Sequence, residues 1–212
     1  MNDKKLIDEL VSNHSKVEPI TSLKVRFLKW LIICALCLSA GISILGLRED
    51  WTTLFTTPIF LIQNLFILIG ILIAGIFAIK LSVPNLTTKK SGTKFLYIFG
   101  SLWAIILFSV GILNHTSLDE LAKFGFGCIR DIVIIGLIPG VALFIFIRQG
   151  VVLERKLVGI TSMIAAFGIG AFGVQYTCHN DGALHILVWH FLPLIILGGS
   201  GVMIGKKLIK KL

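Results

Sequence analysis

The sequence predicts an all-α polytopic membrane protein, a bundle of six transmembrane helices with both termini in the cytoplasm. Hydrophobic residues make up 56% of the 212 residues and charged residues only 15%. The mean hydropathy of +0.94 lies outside the range of soluble domains. Runs such as 65–79 are continuously apolar, which excludes the alternating pattern of a transmembrane β-barrel. Basic residues also cluster in alternate connections, as expected of a chain that crosses a membrane repeatedly.

Six apolar stretches are long enough to cross a bilayer. A helix rises about 1.5 Å per residue and the hydrocarbon core is about 30 Å thick, so each crossing needs roughly 20 apolar residues. The segments between the stretches are too short to form a separate globular domain. The predicted spans are Trp30 to Leu47, Pro58 to Ile79, Phe95 to Leu113, Ile129 to Ile147, Leu157 to Tyr176 and Leu184 to Gly205.

The charge distribution predicts the orientation of the chain. With six spans, all but three of the 20 Lys and Arg residues fall on one side, the exceptions being Arg48, Lys123 and Arg130. The positive-inside rule places the basic side in the cytoplasm. The predicted domains are a cytoplasmic arm at 1–29, the transmembrane domain at 30–205 and a basic tail at 206–212. Membrane topology thus explains the net charge of +9, and direct nucleic-acid binding is not predicted.

The cytoplasmic arm contains a short amphipathic stretch. Asp3 can cap a helix on which apolar residues share one side, namely Leu6, Ile7, Leu10 and Val11. A helix of about ten residues is marginal alone in water, so this apolar stripe needs a partner. Docking on lipid headgroups and binding to another protein both meet that need.

The four cysteines divide into two pairs by depth. Cys34 and Cys37 form a C-x-x-C inside the first span, where apolar packing is favoured over dithiol chemistry. Cys128 and Cys178 lie at the outer ends of the fourth and fifth spans and so share one compartment. In an oxidising periplasm such a pair can form a static disulfide or a reversible thiol switch, and metal binding is the third alternative.

Further metal ligands accompany the outer cysteines. His179 and His185 follow Cys178 closely, and His115 lies on another outer loop. With Cys128, these groups favour zinc, copper or heavier soft ions over magnesium or calcium. Because the spacing matches no standard structural-zinc pattern, we predict no resident cofactor, and transient heavy-metal binding remains an expectation.

Three polar residues are predicted to lie within the membrane. His190 in the sixth span is an ionisable group in lipid and therefore a functional candidate. The plainer alternative is a neutral imidazole hydrogen-bonded to another helix. Gln63 and Asn64 in the second span are expected to form hydrogen bonds between helices.

Local spacing also predicts how some helices meet their surroundings. Gly201 and Gly205 have the small-xxx-small spacing that lets two helices approach closely. Arg130 and Asp131 are adjacent at the mouth of the fourth span, and neighbouring residues on a helix do not face one another. We therefore expect each of these two charges to find a separate partner.

Signatures of catalysis are absent from the sequence, which contains no GxSxG, GxxxxGK[ST] or HExxH. We predict neither an enzyme nor a small-molecule substrate. The main alternative is a small transporter or permease subunit that uses His190 and Gln63 along a path, but no Asp, Glu, Lys or Arg lies near a span centre. A thiol oxidoreductase would need an accessible dithiol, and the C-x-x-C lies inside the bilayer.

Several motifs in order resemble the NrsF family of bacterial membrane anti-sigma factors, over nearly the whole chain. The chain opens with Leu-Ile-Asp-Glu-Leu at 6–10 and enters its first span through basic residues. Gly127-Cys128 follows at the fourth span, Cys178 after the fifth and Val188-Trp189-His190 in the sixth.

The resemblance implies a function and two partners. It implies that cytoplasmic segments, above all the apolar residues of the arm, hold an extracytoplasmic-function (ECF) sigma factor inactive at the bacterial inner membrane. It also implies that Cys128 and Cys178 detect a stress such as a heavy metal or an oxidant. The implied partners are the sigma factor and the lipid bilayer. The pair Cys34 and Cys37 and the outer-loop histidines depart from the expected pattern.

Overall fold

A computed structural model of the chain describes residues 11–12, 21–84, 125–208 and scattered positions between 94 and 109. In this part of the chain the regular elements are all helices, which confirms the predicted all-α class. The helices are α1 (Leu23–Leu45), α2 (Trp51–Leu54), α3 (Pro58–Lys80), α4 (Gly125–Arg148), α5 (Arg155–Val174), α6 (Ala183–His185) and α7 (Leu192–Leu208). A π-helical turn, Ile186–Phe191, joins α6 to α7.

Five helices are long and apolar enough to cross a membrane, and each corresponds to a predicted span. Four of them are α1, α3, α4 and α5, and the fifth, Ala183–Lys207, runs through α6, the π-turn and most of α7. The third predicted span, 95–113, lies outside the described residues apart from scattered helical positions. Large apolar side chains such as Ile44, Leu65 and Ile196 are exposed on these helices, as expected of surfaces that face lipid.

Helix α5 forms the centre of the bundle, because most of its side chains are buried. Glycines permit the close approach of its neighbours. A Cβ on Gly159 would collide with the backbone carbonyl of Gly201 in α7, and Gly205 also lies against Gly159. Eleven residues further along the helix, a Cβ on Gly170 would collide with the carbonyl of Ile132 in α4. The prediction of close contact through Gly201 and Gly205 is therefore confirmed.

The end of the bundle that we call the basic end holds the start of α1, the ends of α3 and α4, the start of α5 and the end of α7. Arg26 of α1 is buried there, and its Nη1 donates to Oγ of Ser82 at 2.9 Å and to the carbonyl of Phe146 at 3.0 Å. Helix α1 begins at Leu23 rather than at Trp30, because these buried acceptors let a charged residue continue the helix. Arg26 thus ties α1 to the ends of two other spans.

The opposite end, which we call the thiol end, is held by Arg48 in the connection after α1. This side chain is only 3% exposed and forms ion pairs with Asp50 and Asp181, with N···O distances of 2.6 Å. Burial alone would lower the pKa of Arg48, but the hydrogen bonds that it donates to both carboxylates raise it above its ordinary value. The clamp formed by Arg48, Asp50 and Asp181 joins the α1 connection to the segment between α5 and α6.

Arg130 and Asp131 at the start of α4 differ from the prediction. Nε of Arg130 donates to the carboxylate of Asp131 at 2.8 Å, so the expectation of separate partners was wrong. The Arg130 side chain is exposed, and its length allows it to bend back along the first turn of the helix.

Candidate thiol and imidazole site

Two sulfur atoms from distant parts of the chain meet at the thiol end. Cys128 lies in the first turn of α4, and Cys178 follows α5, where its amide donates to the carbonyl of Val174 at 2.9 Å. Both side chains are buried, and both thiols are free, with the two Sγ atoms 3.5 Å apart. This separation exceeds a disulfide bond of about 2.05 Å and allows a hydrogen bond or a shared ligand.

The imidazole of His185 completes a triangle with the two sulfurs. Its Nε2 lies 3.6 Å from Sγ of Cys128 and 3.5 Å from Sγ of Cys178. His185 is fully buried, and its Nδ1 has no hydrogen-bond partner among the described residues. One imidazole nitrogen therefore faces both thiols at nearly equal distance.

The π-helical turn brings His190 to the same place. On an α-helix with 3.6 residues per turn, residues five apart point about 140° away from each other. In a π-turn the hydrogen bonds run from residue i to i+5, so His185 and His190 can lie on one face. Their ring centroids are 5.3 Å apart. Pro193 has no amide hydrogen for the carbonyl of Trp189, which removes one α-helical bond from this turn.

A chain of amide groups positions His190. Nδ1 of His190 lies 3.3 Å from Nε2 of Gln175, and Oε1 of Gln175 accepts from Gln63 in α3 at 3.5 Å. His190 is 2% exposed, and its Nε2 has no hydrogen-bond partner among the described residues. The imidazole is thus held on one side and offers its other nitrogen to the interior.

These contacts create one buried group of four ligating side chains. The ligand atoms of Cys128, Cys178, His185 and His190 all lie within 4.8 Å of one another. A hydrogen bond from the Cys128 thiol, together with the two imidazoles, lowers the pKa of Cys178 against the opposing effect of burial. Such a group can bind a soft metal ion or undergo thiol oxidation.

The other predicted metal ligands lie elsewhere. His179 is exposed and lies near Asp50 rather than within the group of four. The predicted ligand His115 lies outside the described residues. Of the predicted metal set, the structure therefore brings together Cys128, Cys178 and His185.

The predicted intramembrane polar residues have different surroundings. Gln63 forms the expected bond between elements, through Gln175. Asn64 is buried and its Nδ2 donates to the carbonyl of Phe60 in its own helix at 2.9 Å, while its Oδ1 has no hydrogen-bond partner among the described residues, so its bond to another helix stays a prediction. An amide at this position reaches the carbonyl four residues earlier, which satisfies its donor locally.

The predicted sigma-binding stripe is largely undescribed. Leu6, Ile7 and Leu10 lie outside the described residues, whereas Val11 is helical and exposed. The exposure of Val11 agrees with an apolar stripe that is not packed on the bundle.

The sequence did not lead us to group His190 with the metal ligands. Neither Gln175 nor the clamp around Arg48 was predicted. The five-residue spacing of His185 and His190 indicates opposite faces on an α-helix, and only Pro193 downstream hinted at an altered turn. For the clamp, no local pattern pairs Arg48 with a carboxylate that lies more than a hundred residues away.

Comparisons with known proteins support the resemblance noted above. The family model described as NrsF, negative regulator of sigma F, matches residues 10–210. Neither a curated protein nor a solved structure matches the chain.

Proposed function

The chain belongs to the NrsF family of negative regulators of sigma F, and from this premise we propose that it is a membrane-bound anti-sigma factor. We propose further that it holds an ECF sigma factor at the inner membrane of a bacterium and releases it on a periplasmic stress. The observation that carries the proposal is the family match over nearly the whole chain. Five helices able to cross a membrane support the membrane-bound state.

The basic end faces the cytoplasm in this proposal. Described Lys and Arg residues are concentrated there, and the positive-inside rule assigns such segments to the cytoplasmic side. Helix α1 starts and α7 ends at the basic end, so the arm and the tail extend from the same face. The thiol end then faces the periplasm, where an external stress arrives first.

The arm supplies the main contact with the sigma factor. Its apolar stripe, Leu6, Ile7, Leu10 and Val11, is too short to be stable alone and gains stability by packing on a partner. Adjacent basic loops contribute to the same surface.

Signalling requires that the thiol end influence the basic end. A ligand or an oxidation shifts an equilibrium only if it favours one of two packings of the helices. Cys128 and Cys178 belong to different elements, α4 and the connection after α5, so a change at the sulfurs alters how these elements pack. Because α4 continues to the basic end, where Phe146 accepts from Arg26, this packing reaches the base of the arm.

Deleting residues 2–16 tests the proposal. This deletion removes the apolar stripe and leaves helices α1 to α7 intact, so we expect constitutive transcription from promoters of the cognate sigma factor. A fluorescent reporter in the native bacterium measures this, and immunoblotting of membranes checks insertion.

Point variants refine the same test. Leu6→Ala with Leu10→Ala should raise transcription, whereas Glu9→Ala, on the polar side of the predicted helix, should leave it low. Unchanged transcription in the deletion strain, with the protein inserted at its normal level, would show that the arm does not hold the sigma factor.

A further inference from the structure

We propose that Cys128, Cys178, His185 and His190 form a closed, four-coordinate site for a d¹⁰ divalent cation, zinc or cadmium. The new element is His190, which adds a second imidazole to Cys128, Cys178 and His185 and so gives a complete N₂S₂ ligand set. The inference deepens the proposed function, and only its regulatory consequence rests on that function.

The distances agree with a tetrahedral centre. With zinc–sulfur bonds of about 2.3 Å and zinc–nitrogen bonds of about 2.0–2.1 Å, a tetrahedron has sulfur–sulfur edges of about 3.8 Å and sulfur–nitrogen edges of about 3.6 Å. The two Sγ atoms are 3.5 Å apart, and Nε2 of His185 lies 3.5 and 3.6 Å from them. Three of the ligands therefore already form one face of the tetrahedron.

His190 supplies the fourth corner. It is 2% exposed, its Nε2 has no described partner, and its ligand atom lies within 4.8 Å of the other three. Metal binding would bring this ligand atom from within 4.8 Å of the others to the edges of about 3.6 Å of a tetrahedron. A buried imidazole nitrogen without a hydrogen bond carries a desolvation penalty, and a metal–nitrogen bond would remove that penalty.

Gln175 and Gln63 form the outer support of the site. Metal-bound histidines use their second ring nitrogen to bind an outer partner, which fixes the orientation of the ring. Nδ1 of His190 faces the amide of Gln175 at 3.3 Å, and Gln175 is itself bonded to Gln63. Gln175 therefore engages Nδ1 of His190 and leaves Nε2 without a hydrogen-bond partner among the described residues before any ion arrives.

The ligand chemistry selects the class of ion. Two sulfurs and two imidazole nitrogens favour soft and borderline ions, and four protein ligands leave no open position for catalysis. Binding of one ion breaks two S–H bonds, forms two metal–sulfur and two metal–nitrogen bonds, and releases two protons. The ion would join α4, the connection after α5 and the π-turn, and so favour one packing of these elements.

Metal binding to the full-length protein, purified in detergent and reduced with a phosphine, tests this inference. Co²⁺ serves as the optical probe, since thiolate-bound tetrahedral Co²⁺ absorbs strongly in the visible range, and Zn²⁺ or Cd²⁺ then displaces it. We expect one ion per chain. His185→Ala and His190→Ala should each weaken Zn²⁺ binding by more than tenfold, since even loss of an outer partner costs 10–100-fold.

His179→Ala is the matched control, because His179 is exposed and adjacent in sequence to Cys178. It should bind Zn²⁺ as the wild type does. His190→Gln, which retains an amide for Gln175 but is a poor zinc ligand, replaces His190→Ala if the latter unfolds on thermal scanning.

Two results would overturn the inference: no binding by the reduced, folded wild type, or equal Zn²⁺ affinity and the same Co²⁺ spectrum with and without His190. The assay contains no sigma factor. Its failure therefore leaves the result of the arm deletion unaffected, and an arm deletion without effect leaves metal binding unaffected.

Discussion

At the residue scale, two buried polar arrangements distinguish the ends of the molecule. Nη1 of Arg26 donates to a hydroxyl and a backbone carbonyl at the basic end, whereas Arg48 forms ion pairs with two carboxylates at the thiol end. A buried guanidinium without such acceptors would be costly. The carboxylates of Asp50 and Asp181 are each about half exposed, so water screens their attraction to Arg48.

The pH dependence of the clamp can be predicted at this scale. The hydrogen bond from Arg48 lowers the pKa of Asp50 below its ordinary value of 3.8. A carboxylate with a lowered folded pKa stabilises the protein above its unfolded pKa, and this contribution disappears as the pH falls through the folded value. Asp50→Asn should therefore lower the Tm by about 2 °C or less at neutral pH, with the difference from wild type vanishing in acid.

Thermal unfolding in detergent from pH 7 to pH 3 measures this effect. Glu49→Gln removes an exposed carboxylate next to the clamp and should leave the Tm unchanged. A difference for Asp50→Asn that persisted unchanged at pH 3 would argue against the ion pair as its cause.

At the element scale, glycine controls how closely the helices pack. The central helix α5 contacts α7 at Gly159, where the backbones of Gly201 and Gly205 leave no room for a side chain. Small residues are favoured at such contacts in membranes, because helix association there depends on van der Waals packing and not on expulsion of water. The contact lies toward the basic end, so it also positions the end of α7.

A matched pair of alanine variants tests this packing. Gly159→Ala places a methyl group against the backbone carbonyl of Gly201, which forces the two helices apart. We expect a loss of about 1–3 kcal/mol, as for other overpacked sites, measured as a lower Tm in detergent. Gly199→Ala introduces the same methyl group into open space in α7 and should cost nothing. Equal Tm values for the two variants would contradict the contact.

At the scale of the whole molecule, the bundle has two chemically different ends. The clamp and the four ligating side chains lie at one end, and Arg26 with the ends of α3, α4 and α7 at the other. Helices α4 and α5 run between these ends and so connect them through continuous elements. This arrangement suits a protein that detects a signal on one side of a membrane and acts on the other.

Cysteine labelling tests which side each end occupies. Glu49→Cys at the thiol end and Lys156→Cys at the basic end are both exposed positions. A membrane-impermeant maleimide should label Glu49→Cys in spheroplasts and Lys156→Cys only after permeabilisation, with the wild type as background. The reverse pattern would invert the proposed orientation, and labelling of both in intact spheroplasts would contradict a spanning bundle.

Much of the fold could be predicted from the sequence, because the hydropathy of a segment is set by its own residues and does not depend on contacts with distant ones. Hydropathy located five spans that each correspond to a long apolar helix in the structure, and the motifs of the sequence led to the right family. The start of α1 was misplaced, since the tertiary partners Ser82 and Phe146 accept hydrogen bonds from Arg26 and let its buried side chain lie within the helix.

The candidate site was only partly predictable for the same physical reason. The alternation of spans already implied that Cys128 and Cys178 lie at one end of the bundle. His190 joins the other three ligands only because of the π-turn, whose hydrogen bonds change which residues share a face of the helix. The clamp depends on side chains that are far apart in the sequence. The amino-acid sequence by itself determined the class, the spans and the family, while tertiary packing alone decided which ligands meet and how they are oriented.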